Sequence, residues 1–396
     1  MSVTRQIAIV TLSFGSGHVR ASEVIHRALY DGGDPVVAQT FDALELARRW
    51  FLWLYAEPYW WMLRRAPWLW RLLFERRQKK LHRATAPHWM FRHGCEELLR
   101  KIKAFGPNLI IATEIGAAEI AALGKREGWF NVPILAVQTD FHTEPPWVQR
   151  EVDVYCVGSE EARAQLLSWG VSPNRVLLSG IPVDPAFALS FDKADLLRAF
   201  GLDPARPIVL LMGGGMGLAP LDEIVKRLEL CGHSLQVIAV AGHDAALKHR
   251  LDLLRGKVAL DLHAFGWTDT VPELMAVADL LITKPGGVTS AEALATGLPM
   301  VLTHPIPGPE ERHVRYLEQN GVAVRVDNPR EIPHLVSRLL SRPEKLQEMR
   351  RRARELARPD AVHVIAQVSR ALLEKATYID LLASPPARTG ESAYLM

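Results

Sequence analysis

A run of apolar, largely β-branched residues over 7–12 stops at Gly15 and Gly17 and gives way to a 3.6-residue apolar period through Ala28, the pattern of strand, glycine turn and helix. Similar runs recur at residues 109–113, 134–138, 154–157 and 176–178, separated by helix-length stretches. Strands that read as continuous apolar runs are buried on both faces, as in parallel sheets flanked by helices. Pro182, Pro185, Pro204 and Pro207 then punctuate the chain, and a second series begins at 208–212 and continues at 236–241, 279–283 and 299–303. The pattern predicts an α/β protein of two tandem domains. Residues 1–182 form the first, 183–206 a linker, 207–360 the second, 361–380 a final helix and 381–396 a Ser/Pro/Ala/Gly-rich flexible tail.

One segment breaks the alternation. Residues 48–83 hold Trp50, Trp53, Trp60, Trp61, Trp68 and Trp70 among ten Lys or Arg, including Arg64 and Arg65, and two acidic residues. Indoles beside a formal charge of +8 suit the water–lipid interface, where rings rest at headgroup depth and cations meet anionic lipid. Two other readings are helices packing their tryptophans into the core and a single-strand nucleic-acid surface, for which nothing else in the chain speaks.

At 396 residues the chain exceeds what one core fills, and 48% hydrophobic with 23% charged residues is the composition of a folded soluble protein. Cys95, Cys156 and Cys231 are isolated, which argues against a disulfide framework or zinc site and for a reducing cytoplasm. The first apolar stretch is too short to span a bilayer, and a net charge of +3 does not call for nucleic acid. The expected location is cytoplasmic and peripheral, on the inner face of the cell membrane.

Three glycine-rich stretches carry candidate chemistry. In Ser13-Phe14-Gly15-Ser16-Gly17-His18, Gly15 and Gly17 let backbone approach an acceptor, and His18 can remove a proton near neutral pH. The spacing is not GxGxxG, and no acidic residue is read at the end of a second strand, so a dinucleotide site is disfavoured. Gly213, Gly214, Gly215 and Gly217 follow the strand at 208–212 and form a cradle of N–H groups suited to a diphosphate. After the strand at 279–283, Gly286, Gly287, Val288 and Thr289 offer N–H groups and a hydroxyl to phosphate at a helix start, and Glu292 lies where a carboxylate accepts from two ribose hydroxyls.

Taken together, the 13–18 loop, Thr139-Asp140-Phe141 with Trp147, the 152–160 stretch, Gly180-Ile181-Pro182, the 213–217 glycines and the 284–292 segment resemble the monogalactosyldiacylglycerol synthase and processive diacylglycerol glucosyltransferase group. That group is related to the lipid II N-acetylglucosaminyltransferase of peptidoglycan synthesis, and the resemblance runs from residue 5 to about 375. It implies the GT-B fold, two Rossmann-like domains facing a central cleft, with a UDP-sugar in the second, a lipid acceptor at the first, and a last helix crossing back. It further implies that Glu292 holds the ribose, that the glycines flank the diphosphate, that backbone near Phe265 reads uracil, and that His18 and Asp140 stand beside the acceptor as catalytic residues. Where relatives carry Pro-Gly-Gln-Glu and then Asn to grip the hexose, this chain has Pro307-Gly308-Pro309-Glu310-Glu311-Arg312-His313, leaving Glu310 as the candidate.

The expected reaction is one inverting displacement that moves a hexose from a UDP-sugar to diacylglycerol, or to another amphipathic or polyprenyl-linked acceptor, at an anionic membrane surface. UDP-sugar is a co-substrate, no cofactor is expected, and the absence of an Asp-X-Asp motif argues against a metal. Rivals are a UDP-sugar 2-epimerase, against which the Trp-rich segment speaks, and a non-catalytic UDP-sugar-binding protein.

Overall fold

The computed structural model describes residues 4–30, 36–79, 84–214 and 219–374. Among them, twelve strands form two parallel six-stranded sheets. The first comprises β1 (Arg5–Thr11), β2 (Val36–Asp42), β3 (Leu109–Ala112), β4 (Ile134–Val137), β5 (Val154–Val157) and β6 (Val176–Leu178), in the order β2-β1-β3-β4-β5-β6. The second comprises β7 (Ile208–Met212), β8 (Gln236–Val240), β9 (Asp261–Phe265), β10 (Leu280–Thr283), β11 (Met300–Leu302) and β12 (Ala323–Arg325), in the order β12-β11-β10-β7-β8-β9. Side chains alternate across a strand, so β1 sends Ile7 and Ile9 into one core and Ala8 and Val10 into the other. Both faces are covered, which is why the strands read as unbroken apolar runs.

In each sheet the strand order reverses beside the first strand, at β1/β3 and at β7/β10. Helices leave in opposite directions there, so a crevice opens at the carboxyl ends of those strands, where ligands bind in such folds. The loops after β1 and β3 and the turn after β10 therefore all face the space between the domains.

The helix Ala361–Glu374 returns to the first domain, with Val362, Ile365, Ala366 and Val368 packed against Ile7, Val24 and Leu109. Residues 375–380 and the tail at 381–396 lie outside the described residues. The 183–206 segment is no free linker. It forms the helix Lys193–Phe200 and buries Val183, Phe187, Leu197 and Leu202 in the core of the second domain, because four apolar side chains at these spacings gain more from burial than a solvated tether would.

Between β2 and β3 the basic, Trp-rich segment folds as helices, among them Glu57–Arg65 and Pro67–Gln78, preceded by a π-helical turn over Leu52–Ala56.

Candidate functional site

The helix Ser16–Tyr30 starts directly on the glycine loop and sets His18 in its first turn, facing the cleft. His18 Nδ1 is hydrogen-bonded to Thr139 Oγ1 at 2.8 Å. Burial lowers the imidazole pKa from its ordinary 6.5, against the opposing charge of Asp140. The ring is therefore neutral at physiological pH, the form that accepts a proton.

Asp140 follows β4 and meets the second domain, with His313 Nε2 3.1 Å from its Oδ1. Burial pushes the Asp140 carboxyl up, but contact with His313 and the charges of His142 and His18 win and hold it well below the carboxylate range. His313 donates from Nδ1 to Pro285 O at 2.8 Å, and Asp140 raises its pKa against the effect of burial. Phe141 stacks on Tyr316 beside this pair, with ring centroids 4.8 Å apart and planes at 16°.

The donor side is built on the helix Gly287–Thr296. A Cβ on Gly287 would stand 2.0 Å from Thr139 O, so only glycine lets the helix start reach the first domain's backbone. The N–H groups of Gly287, Val288 and Thr289 lie in the first turn, where they have no intrahelical acceptor and the dipole favours an anion. Glu292 is 8% exposed, the hydrogen-bond and ion-pair contacts among the described residues include none to its carboxyl, and burial lifts that carboxyl to about 8. Such a group gains from incoming hydroxyl donors. Lys284 Nζ is 2.5 Å from Glu310 Oε1, while Glu310 Oε2 accepts from the Ile306 N–H at 2.8 Å.

His18, Asp140, His313, Lys284, Glu292 and Glu310 line one cavity of about 680 Å³ between the domains. Opposite the donor helix an aromatic wall runs outward: Phe14 meets Tyr59 at 5.2 Å, Tyr59 meets Trp70 at 4.9 Å, and Trp70 meets Phe74 at 6.4 Å. Leu54 and Leu73, both exposed, carry the wall to the surface.

Residues 18–183 match the monogalactosyldiacylglycerol synthase family, and residues 208–365 match the C-terminal domain of glycosyltransferase family 28. The chain belongs to the family 28-type glycosyltransferases. The processive diacylglycerol β-glucosyltransferase of Bacillus licheniformis is 28% identical over 379 residues, which cover 92% of this chain and 94% of that one. Among solved structures, MurG of Acinetobacter baumannii superposes with a TM-score of 0.62 at 16% identity over 92% of this chain and 99% of that one. A putative UDP-N-acetylglucosamine 2-epimerase of Listeria monocytogenes gives 0.61 at 13% over 94% and 98%. These two similarities establish the shared GT-B architecture.

Within this glycosyltransferase, Gly15, Gly17, His18, Asp140, Gly214, Gly286, Gly287, Val288, Thr289, Glu292 and Glu310 all line the cleft. Gly215 and Gly217 lie outside the described residues. Gly213 and Phe265 do not line it: the Phe265 ring packs edge-on to Phe200, its carbonyl is taken by the Ala241 N–H, and the aromatic that this stretch presents to the cavity is Trp267, stacked on His243 at 4.0 Å. Gly286 does not offer its N–H to phosphate, because the tight turn directs it to Lys284 O at 2.9 Å. An acidic residue does end the second strand, but Asp42 Oδ1 is occupied by the N–H groups of Ser13 and Leu44. The Trp-rich set divides: Trp53, Trp61 and Trp68 are 71%, 57% and 68% exposed, with Arg64 and Arg65 also exposed, whereas Trp60 and Trp70 line the cleft and Trp50 stacks on Trp89 at 5.8 Å. Lys284, Tyr59 and Arg20, which also lines the cleft, are not foreseen from the sequence as site residues, and only the position of Lys284 just after β10 and two residues before Gly286 signals it.

Proposed function

We propose that this glycosyltransferase transfers a hexosyl group from a UDP-sugar to the hydroxyl of diacylglycerol, with inversion, while docked peripherally on an anionic membrane at its cytoplasmic face. The acceptor oxygen bonds to the anomeric carbon as His18 takes its proton, and the bond from that carbon to the diphosphate breaks with the electron pair leaving on UDP. The first-turn N–H groups of Gly287, Val288 and Thr289, together with Lys284, meet the charge that develops on the diphosphate. Glu292 receives the ribose hydroxyls, and Trp267 lies where it can cover the base.

The observation that carries this reading is the aromatic wall from the cleft to a surface bearing Trp53, Trp61, Trp68, Leu54, Leu72 and Leu73 amid exposed arginines. An acceptor with an apolar body and a hydroxyl end fits such a path, and the surface suits headgroup-level insertion. The names of the Bacillus relatives point the same way. No helix among the described residues is long and apolar enough to cross a membrane.

UDP release by the purified protein is the test, with a panel of UDP-sugars and with or without diacylglycerol in anionic vesicles. Release that needs both one donor and the lipid supports the proposal. Equal release with a water-soluble acceptor alone, or unchanged vesicle flotation of Trp61→Glu/Trp68→Glu, counts against its lipid half.

A further inference from the structure

The helix Pro67–Gln78 belongs to the first domain, yet three of its contacts fall on one short stretch of the second, Gly308 and the first turn of the helix Pro309–Gln319 that it caps. Arg71 is ion-paired with Glu311. Phe74, 2% exposed, lies so near Gly308 that a Cβ there would come within 2.7 Å of the ring. Arg312 stands over the same ring at 5.2 Å. The loop that leads into this helix is an awkward one: it leaves β11 through His304 at φ 51° and turns at Gly308 at φ 92°, both in the left-handed half of conformational space. A non-glycine residue there is maintained by its surroundings rather than by preference.

The inner side of this turn and helix start lines the donor pocket. Ile306 N–H and Lys284 Nζ fix the two oxygens of Glu310, and His313 is tied to Pro285 O in the turn that precedes Gly286 and Gly287. A short path of direct contacts therefore joins Arg71 and Phe74 to Glu310 and Lys284. It bypasses Trp267 and Glu292, which stand on other elements.

We propose that Arg71 and Phe74 are positioning residues for the donor sugar: the acceptor-side helix sets the turn and helix start at 306–313 and thereby holds Glu310, the candidate to grip the hexose, at the sugar end of the donor. The inference rests on the donor assignment above. Phe74 contributes the packing. Arg71, half exposed, contributes little as an attraction, but its reversal would set two carboxylates against each other where Glu311 also accepts the Gly308 N–H at 3.1 Å.

Because the contact reaches the sugar end and not the uridine side, it predicts a difference between two ligands. Arg71→Glu should raise the KM for UDP-glucose about tenfold, a change of about 1.4 kcal/mol, while leaving the Kd of UDP alone within about twofold. Arg71→Lys should restore the donor KM. Phe74→Ala should show the same selective loss, with the melting temperature recorded so that unfolding is recognised. An unchanged donor KM in Arg71→Glu, an equal loss of UDP affinity, or failure of Arg71→Lys to restore would overturn the inference. A wild-type protein that releases UDP from no UDP-sugar would overturn the donor assignment and this inference together.

Discussion

His313 of the second domain and Asp140 of the first form an ion pair at 3.1 Å across the cleft. The partner of Asp140 is thus the residue that departs from the Asn of relatives, and its imidazole serves the seam rather than a hexose hydroxyl.

The pair makes domain closure pH-dependent. His313 has a folded pKa raised above 6.5, so its contribution is complete below that value and is lost as pH rises through the folded value. Asp140, depressed below 3.8, contributes above that value and fails only in strong acid. Melting temperature should therefore fall from mildly acid to mildly alkaline pH in the wild type, and His313→Asn should flatten that decline. An identical slope in both proteins would remove the pair from the account.

Glu292 should lose a proton when nucleotide binds. At neutral pH its carboxyl, lifted to about 8 by burial, is largely protonated in the free protein. Two ribose hydroxyls donating to it favour the carboxylate. Calorimetry of UDP binding in buffers of different ionisation enthalpy should register proton release near neutral pH, absent in Glu292→Gln, and Glu292→Ala should weaken binding by roughly 1–3 kcal/mol.

His18→Ala should lower turnover by about 10²–10⁴-fold while leaving UDP affinity intact. Since burial depresses the imidazole, the acid limb of kcat/KM against pH should lie below 6.5 in the wild type and vanish in the variant. A limb that persists in His18→Ala belongs to another group.

Gly287→Ala adds a methyl whose nearest neighbour is a backbone oxygen, which no side-chain rotation can clear. The domains must separate, and a displacement of about 1 Å at a reacting centre can cost about 10²-fold in rate. Turnover should fall by that order with the melting temperature of the protein little changed, and small-angle scattering should report a wider cleft.

Much of this was legible because burial on both faces leaves a plain record: the runs at 7–12, 109–113 and 208–212 are strands, and the glycine-punctuated ends of β1 and β10 carry His18 and Glu292. Contacts between domains leave no such record. Nothing in the spacing of Thr139 or His313 announces that one meets Gly287 and the other Asp140, and the direction of the Gly286 N–H depends on a turn closed by its own neighbour. Helical periodicity fails over 48–83 for a local reason. The π-helical turn at Leu52–Ala56 shifts the phase of the helices that follow, so tryptophans close in sequence divide between cleft and surface.

The approach of Gly287 to Thr139 also bears on inheritance. Since the atom in the way belongs to the main chain, no replacement of the threonine side chain can make room for a larger residue opposite. Halves taken from two relatives would recombine into a working enzyme only if the seam travelled as a unit: Thr139, Asp140 and Phe141 from one parent must find glycine at 287, histidine at 313 and tyrosine at 316 in the other. Diversification of donor and acceptor choice is then freest in the pocket walls, far from the line along which the two halves are joined.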